Sequence, residues 1–424
     1  MLNKAFSVTF RSYAVILVIL FIIVGANQAY AQDTEEFEYP QVFHVSKLLP
    51  TDVVVGPDYR IQNLVYNDGI INRFDINSDY GFLSVEGSEL LKVRLKEIKA
   101  IRQMEELKRT KVYGDALKKA VTGPLRLAKG LVTQPIDTLS GIGSGIGKWF
   151  GQIGHTIYGS PSEGEEGTLK VIFGFNGVKR NFAYQFGVDP YSTNPLLQKY
   201  LNEITWTAFA GNLTVRAAFM AIPGVAGTVV SGTSFSKGMR VLARDMTTAE
   251  LKKYNREKLK TMGADEEVSD TFLDHPKWSP TATTKLVGAL DQMKGVRNRE
   301  AMVAAATLVQ SEAIVYFRQR QTEMMAAYHL KVSPVDRMIR LGEIAGLQKK
   351  DGTLVVVVPV DHVAWVKGVK NRVTRTSRKV AENVSNVTAK ELWLGGTVTP
   401  FARQKLEAQG WVVKENMSQK LTLD

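Results

Sequence analysis

The character of the chain changes at one stretch, Ser88-Glu-Leu-Leu-Lys-Val-Arg-Leu-Lys-Glu-Ile-Lys-Ala-Ile-Arg-Gln-Met-Glu-Glu-Leu-Lys108. Its apolar side chains recur every three or four residues, at Leu91, Leu95, Ile98, Ile101, Met104 and Leu107. That spacing places them along one side of a helix, so the stretch predicts an amphipathic α-helix with an outer face rich in Lys and Arg. We interpret this outer face as solvated, and a specific anion site is the alternative.

Before this stretch, residues 41–88 are predicted to form a small β module. Runs that favour strands extend from Thr51-Asp-Val-Val-Val55 to Phe82-Leu-Ser-Val85, and turn-forming groups such as Asn67-Asp-Gly69 separate them. This alternation is typical of short antiparallel strands that are joined by tight turns. We therefore expect an antiparallel sheet of three to four strands.

After it, we expect an amphipathic helix and a glycine-rich heptad segment over 89–158, a linker over 159–168, a helical domain over 169–335 and a C-terminal α/β module over 336–424. Asn194-Pro195 and Ser279-Pro280 are predicted helix starts, because the first residue caps a helix and proline fits its first turn. Leu354-Val-Val-Val-Val358 is predicted to be a strand that is buried on both faces. The predicted fold class is α+β, a multi-module chain with a small N-terminal antiparallel sheet, a mostly helical middle and a C-terminal mixed α/β module.

The first 31 residues have the features of a signal peptide. The first 13 residues contain the cations Lys4 and Arg11 and no acid. An apolar run follows over 14–26, and Ala29-Tyr-Ala31 offers a cleavage site. A run of roughly thirteen apolar residues is shorter than the roughly twenty that a spanning helix needs. With 32–40 as an acidic leader, we expect a periplasmic or secreted bacterial protein that associates at most peripherally with a membrane.

The composition excludes several chemistries. The 424 residues include no cysteine, which excludes disulfides, thiolate catalysis, iron–sulfur clusters and cysteine-ligated zinc. The five histidines are scattered, so we predict no metal site, and Gly141–Lys148 departs from the phosphate-loop pattern, so we predict no cofactor. Ser234-Phe-Ser-Lys237 and Asp361-His362 match catalytic patterns only weakly, and the catalytic residues stay unassigned.

Two apolar segments have open interpretations. Residues 124–154 combine a heptad seam with many glycines, so they need a surface to order against, either the rest of the protein or a membrane interface. The candidate membrane or partner face of this segment consists of Leu139, Ile142, Ile146, Trp149, Phe150 and Ile153. Residues 204–233 either form a buried helix pair that is broken at Pro223-Gly224 or cross a membrane.

A basic segment near the C-terminus is the best candidate for a binding surface. The candidate anion-binding residues are Lys367, Lys370, Arg375, Arg378 and Lys379. On a helix these cations fall broadly on one side and the valines between them on another, which suits an anionic surface. The alternative is a solvated face with a docked valine stripe. The segment lacks aromatic residues for base stacking, which disfavours nucleic acid as a partner.

The formal net charge of +12 favours anionic partners, and outside the cytoplasm these are anionic lipids or cell-wall polymers. We expect a non-catalytic exported protein of the bacterial envelope that uses basic and amphipathic surfaces for binding or scaffolding, with a partner protein as a further class of target. One alternative is a membrane-active protein that inserts 124–154 or 204–233. Another is an exported hydrolase whose site is assembled from distant residues.

Overall fold

A computed structural model of the protein describes residues 37–122, 165–224 and 234–423. The predicted signal peptide, the start of the acidic leader and the whole candidate face from Leu139 to Ile153 lie outside these ranges. The elements described below belong to one compact unit of the chain that begins at Tyr39.

The predicted N-terminal antiparallel sheet is confirmed. Its elements are β1 (Val42–His44), a 3-10 turn (Val45–Lys47), α1 (Thr51–Val54), β2 (Val55–Gly56), β3 (Tyr59–Ile61), β4 (Leu64–Asn67), β5 (Asn72–Ser78) and β6 (Gly81–Glu86). The strands follow the order β1-β4-β5-β3-β2, β6 also pairs with β5, and these pairings are antiparallel. In the described part of the chain this sheet has six strands, more than the predicted three to four.

The run from Thr51 to Val55 departs from its prediction as a strand. Thr51–Val54 forms one helical turn, in which the carbonyl of Pro50 accepts hydrogen bonds from the N–H groups of Val53 and Val54, both at 3.0 Å. The β preference of valine depends on a pleated surface against which the side chain packs. The chain reverses at this point between two short strands, so local turn geometry decides the structure.

The predicted helical middle is confirmed. Its helices are α2 (Ser88–Lys108), α3 (Lys111–Thr122), α4 (Glu165–Phe186), α5 (Pro195–Ala210), α6 (Val215–Ala221), α7 (Ser234–Asp245), α8 (Thr248–Thr261), α9 (Glu266–Leu273), α10 (Pro280–Gln292), α11 (Glu300–Ala306) and α12 (Glu312–Lys331). The predicted caps are present, because Asn194 Oδ1 accepts from the N–H of Leu196 at 3.0 Å and Ser279 Oγ accepts from the N–H of Ala282 at 3.1 Å. Helix α4 begins inside the segment predicted as a linker.

The outer face of α2 differs from the solvated basic face that its sequence suggests. Arg94 and Glu97 are buried and form an ion pair of 2.8 Å, and Arg94 also pairs with Glu312 at the start of α12. The ion pair of Arg94 with Glu312 thus ties α2 to α12. Helix α2 is consequently covered on more than its apolar side.

Residues 204–224 form the end of α5, a turn and α6. Gly211 ends α5, Asn212 follows with a positive φ of 55°, and the chain turns again at Pro223-Gly224. The stretch therefore folds as short helices with an additional break, and residues 225–233 lie outside the described ranges. Across those ranges, no helix is both long and apolar enough to span a bilayer.

The C-terminal mixed module is also confirmed. It contains β7 (Arg337–Leu341), β8 (Ile344–Gln348), β9 (Leu354–Val358), β10 (His362–Val363), α13 (Lys367–Asn383), β11 (Lys390–Leu394), β12 (Thr397–Val398), α14 (Pro400–Glu407) and β13 (Trp411–Lys414). The main sheet has the order β13-β11-β9-β8-β7, with β9, β11 and β13 parallel and the β7–β8–β9 pairings antiparallel. Helices α13 and α14 are the crossovers between the parallel strands, and successive right-handed crossovers in one direction lie on the same face of a sheet.

The two faces of this C-terminal sheet have different neighbours. Val355, Val357 and Leu347 belong to the core that the sheet shares with α10, α11 and α12. Val356 and Leu394 point to the opposite face, which α13 and α14 cover, because neighbouring residues on a strand alternate between faces. The buried run Leu354–Val358 is therefore covered on both sides, as its sequence predicts.

A loop after β9 joins the C-terminal module to the N-terminal sheet. The N–H of Asp361 donates to the carbonyl of Ile70 at 3.0 Å, and the N–H of Ala364 donates to that of Gly69 at 3.1 Å. Asp361 Oδ2 accepts from the N–H of Asn72 at 2.8 Å, and Oδ1 accepts from the N–H of Ser88, at the start of α2, at 3.2 Å. This junction closes one side of the space beneath α13.

Candidate functional site

A cavity of about 590 Å³ lies on the face of the C-terminal sheet that α13 covers. We call it the sheet cavity. All five strands of the sheet contribute apolar wall residues, namely Leu341, Ile344, Val356, Val358, Leu392, Leu394 and Trp411. Protein interiors rarely keep voids much larger than a water molecule, whereas small-molecule sites measure about 300–1,000 Å³. The sheet cavity therefore has the size and the lining of a ligand site.

Short side chains on the covering helix leave this space open. Val369 and Val373 are the apolar residues of α13 that line the cavity, and valine reaches less far toward a sheet than leucine or phenylalanine. Ile314 and Phe317 of α12 form another wall. Ile314 is itself 37% exposed, so the cavity opens to solvent on that side.

The basic segment predicted as an anion-binding face is confirmed as a helix, and part of it borders the cavity. Arg375, Arg378 and Lys379 line the cavity, whereas Lys367 and Lys370 lie outside its walls. Lys379 pairs with Glu382 at 2.6 Å, and Arg378 lies 3.8 Å from the same carboxylate. The sequence therefore identified three of the cations at the cavity edge.

Two further cations, one on α13 and one on the N-terminal sheet, also line the cavity. Neither was among the candidate anion-binding residues. Arg372 lies on the cavity side of α13, and Arg73 of β5 lies at the wall formed by the N-terminal sheet. Arg73 stacks over the ring of Tyr66, with 5.2 Å between the guanidinium carbon and the ring centroid. Nothing in the periodicity of the sequence separates Arg372 from the other cations of its segment, and Arg73 comes from a module nearly 300 residues away.

Arg318 is the most unusual residue of the cavity wall. It lies on α12 and is only 7% exposed. Its Nη1 donates to Gln321 Oε1 at 2.7 Å and its Nη2 donates to the backbone carbonyl of Glu343, but Nε–H finds no acceptor within the described residues. Among those residues no carboxylate forms an ion pair with it. Burial lowers the pKa of Arg318 to about 10, so the group keeps its positive charge at neutral pH.

A buried charge without a counter-charge is costly, since desolvation is offset only by good ion pairing and hydrogen bonding. Sequence inspection missed Arg318 because an arginine on a helix is usually exposed. A hint was available in its position on α12, a helix that continues into the apolar run Met324-Met-Ala-Ala327.

A second unused donor lies at the opposite edge of the sheet. Trp411 on β13 lines the cavity, is 5% exposed, and its Nε1–H finds no acceptor in the described ranges. The ammonium of Lys390 lies over the ring of Trp411, 5.4 Å from the ring centroid. Three strand spacings of about 4.8 Å separate β8 from β13, so the cavity face measures about 14 Å across from the Ile344 end to the Trp411 end.

Of the two weak catalytic motifs, the structure describes both side chains only for Asp361-His362. The carboxylate of Asp361 is occupied by backbone N–H groups, while His362 Nδ1 lies 2.6 Å from Thr397 Oγ1, so the two residues form no acid–base couple. Ser234 begins α7 with its side chain outside the described set, and Lys237 is exposed. In the described ranges, no group of histidine and acidic side chains could hold a metal ion.

Comparison with known protein families, curated proteins and solved structures finds no match to this chain. The geometry of the cavity and the sequence patterns are therefore the basis for the functional conclusion.

Proposed function

We propose that this protein is an exported, non-catalytic binding protein of the bacterial envelope that holds an elongated apolar molecule with one acidic group in the sheet cavity. The observation that carries the proposal is a buried arginine, Arg318, with an unused N–H group in the wall of a large apolar cavity. The signal peptide predicted from the sequence supports the location. The apolar walls favour a lipid-like molecule over a cell-wall polymer, since a polymer of sugars would need many polar partners.

The shape of the cavity supports an elongated ligand. Its apolar floor extends about 14 Å across the strands from β8 to β13. One donor, Arg318, is held against the β7–β8 turn, and the other, Trp411, lies on the strand at the far edge. An acyl chain with a carboxylate at the Arg318 end fits this distribution of walls and donors.

The charge at that end supports an acidic head group. The turn that holds Arg318 also approaches α13, because a Cβ on Gly342 would lie 3.9 Å from Lys379 Cγ. Lys379 therefore lies beside the turn that holds the buried cation. A carboxylate at Arg318 would supply the acceptor that Nε–H lacks, and hydrogen bonds to charged groups contribute about 1.5–3 kcal/mol.

Binding of dodecanoate and of dodecanol tests the proposal, because the two ligands share a chain and differ in the acidic group. Displacement of the fluorescent apolar probe N-phenyl-1-naphthylamine reports occupation of the cavity. We expect both ligands to bind and dodecanoate to bind about tenfold more tightly or better. The substitution Arg318→Met should remove this preference and leave dodecanol binding intact.

A pair of valine-to-tryptophan variants places the ligand. Val356→Trp fills the cavity, because Val356 lies on its floor and is 3% exposed. Val412→Trp is the matched control, because Val412 lies on the other face of the same sheet and is 50% exposed. We expect the first variant to lose both ligands and the second to bind like the wild type. Failure of the wild type to bind either ligand, or equal binding by both tryptophan variants, would overturn the proposal.

A further inference from the structure

The floor of the sheet cavity crosses the C-terminal sheet diagonally. Beside the β7–β8 turn the floor is a row with one residue from each of β7, β8, β9 and β11, namely Leu341, Ile344, Val358 and Leu394. The next row consists of Val356 and Leu392. Trp411 of β13 belongs to the row after that, because it pairs with Lys390, which in turn pairs with Leu354. The floor therefore leads from the β7–β8 turn to the opposite edge of the sheet.

The register of the strands gives the length of this path. Ile344 and Trp411 are about 14 Å apart across the strands, at three spacings of about 4.8 Å, and about 13 Å apart along them, at four residues of about 3.3 Å. The diagonal is therefore about 19 Å. An extended hydrocarbon chain advances about 1.25 Å per carbon, from bonds of about 1.5 Å at near-tetrahedral angles. A chain of about sixteen carbons spans the path, whereas one of about twelve ends about 5 Å short of Trp411.

The Trp411 end of the path has an unused hydrogen-bond donor. Trp411 is buried in the cavity wall, and its Nε1–H finds no acceptor among the described residues. The ammonium of Lys390 lies over the indole ring and donates to the backbone carbonyl of Gln409, and in the described part of the chain no carboxylate pairs with it. This positive charge favours an oxygen atom near the indole. An alkyl chain that ended at Trp411 would offer Nε1–H no partner, whereas an oxygen would accept its hydrogen bond.

Trp393, on the neighbouring strand β11, shows the opposite arrangement. It lies on the packed face of the sheet, where its ring meets the edge of Tyr328 and its Nε1 donates to Glu391 Oε2 at 2.8 Å. The tryptophan of the packed face thus has an acceptor within the protein, and the tryptophan of the cavity face does not. Trp206 Nε1 in the helical middle also lacks an acceptor among the described residues, but Trp206 is not a wall residue of the sheet cavity. At Trp411 a ligand can supply what the protein does not.

We infer that the ligand of the sheet cavity is a long-chain acid of about sixteen carbons with an oxygen acceptor, such as a hydroxyl group, at the end opposite its carboxylate. The carboxylate lies at Arg318, and the second oxygen accepts the hydrogen bond of Trp411 Nε1–H. This inference rests on the proposed function and adds to it the length of the chain and the chemistry of its far end.

A series of unsubstituted acids tests the length, by displacement of N-phenyl-1-naphthylamine from the full chain. From dodecanoate to hexadecanoate the affinity should rise about threefold for each added carbon, because each CH₂ group is buried in the cavity. From hexadecanoate to eicosanoate it should rise by less than about threefold in total, since the path is already filled. A rise that continues unchanged to eicosanoate, or that ends at dodecanoate, would overturn the assigned length.

The far end is tested with 16-hydroxyhexadecanoate, which adds one hydroxyl group to hexadecanoate. The ratio of the two affinities cancels the contribution of the shared chain and carboxylate. Trp411→Phe keeps an aromatic ring but has no N–H group, so the ratio of hydroxylated to plain acid should fall about tenfold relative to the wild type. Trp393→Phe is the matched control on the packed face, and it should keep the wild-type ratio within about twofold.

The wild type provides a second measurement that needs no substitution. The hydroxyl group of 12-hydroxydodecanoate would lie against the apolar floor, short of Trp411. Its affinity relative to dodecanoate should therefore be about tenfold lower than the corresponding ratio for the sixteen-carbon pair.

Equal ratios for the two chain lengths, a ratio that Trp411→Phe leaves unchanged, or an equal fall in Trp393→Phe would overturn the inference. The proposed function survives each of these outcomes if the preference for dodecanoate over dodecanol still depends on Arg318. Failure of the wild type to bind any of these acids would overturn the inference and the proposed function together.

Discussion

The two faces of the C-terminal sheet carry the same type of residue on β9, valine, but differ in how they are packed. Val355 and Val357 pack in the core beneath α12, while Val356 and Val358, from the same strand, border the sheet cavity. The difference comes from the opposing helix. Helix α12 presents large side chains such as Tyr328, whereas α13 presents valines. Whether a β-strand face becomes core or binding site is thus decided by its neighbours.

Polar groups follow the same division. On the packed face, Gln321 Nε2 donates to the carbonyl of Val357 at 2.9 Å, so a buried amide is satisfied. On the cavity face, the N–H groups of Arg318 Nε and Trp411 Nε1 are buried and find no acceptor in the described ranges. Native proteins leave few such groups unpaired, because each costs about 1–3 kcal/mol. Unpartnered atoms such as Asn255 Oδ1 and Ser269 Oγ also occur in the packed helical part, but Arg318 Nε and Trp411 Nε1 border an open space in which a ligand could supply the acceptor.

The largest expected effect is on stability, with a matched pair of leucines. Leu347 is fully buried on the packed face, and Leu347→Ala should lower the free energy of unfolding by about 2–5 kcal/mol. Leu392 lies on the cavity face, and Leu392→Ala should cost less than about 1.5 kcal/mol because it enlarges a space that already exists. Urea unfolding measures both values. Equal losses would show that the two faces are packed alike.

A second prediction concerns the junction that closes the cavity face. Asp361→Ala removes the acceptor for the N–H groups of Asn72 and Ser88 and should lower the free energy of unfolding by about 1–3 kcal/mol. Asp68→Ala is a useful control from the same loop region, since the Asp68 carboxylate also accepts backbone N–H groups, from Ile70 and Ile71, but at an exposed turn. Asp68→Ala should cost less, and an equal or greater cost would contradict the role of Asp361 as the tie between the modules.

The same carboxylate makes the cavity face sensitive to pH. Burial raises the pKa of Asp361, so over an interval above the unfolded-state value of about 3.9 the native state keeps a proton that the unfolded state has released. The contribution of Asp361 to the protein's free energy of unfolding therefore falls as pH rises through this interval. The wild type should lose stability relative to Asp361→Asn between about pH 4 and the raised pKa. Because the other titrating groups are common to both proteins, their stability difference isolates Asp361, and a difference that is constant or grows with pH would contradict the prediction.

The smallest effect on stability is expected at the surface of α13. Arg375→Gln combined with Arg378→Gln should change the free energy of unfolding by less than about 0.5 kcal/mol per substitution, because Arg375 and Arg378 are exposed. Binding to vesicles that contain an anionic phospholipid should nevertheless weaken, since each basic residue near such a surface contributes about 1 kcal/mol. Vesicle co-sedimentation at low and high salt measures this. Lys414→Gln, an exposed cation of β13, is the control, and equal losses in the control would argue against α13 as the contact surface.

Local patterns were enough for much of the fold. The period of three to four residues after Ser88 predicted α2, and the caps at Asn194 and Ser279 predicted the starts of α5 and α10. These features depend on residues within one or two turns of each other. The helical turn over Thr51–Val54 was predicted wrongly, because β-branched residues form a strand only when a sheet is available to receive them.

The candidate site was predicted only in part. Arg375, Arg378 and Lys379 stand out in sequence because a run of cations with interleaved valines is a local pattern. Arg318 does not, because its burial results from contacts with the β7–β8 turn, which lies 25 residues further along the chain.

The amino-acid sequence by itself determined helices such as α2, α5 and α10, that the run Leu354–Val358 must be covered on both faces, and where basic charge is concentrated. Those properties follow from backbone preference, side-chain period and composition, which act over short distances. Tertiary structure alone decided that one face of that strand is filled and the other hollow, and that Arg318 is buried at the hollow side. The reason is that packing depends on which side chains meet across the interface, and those residues are distant in sequence.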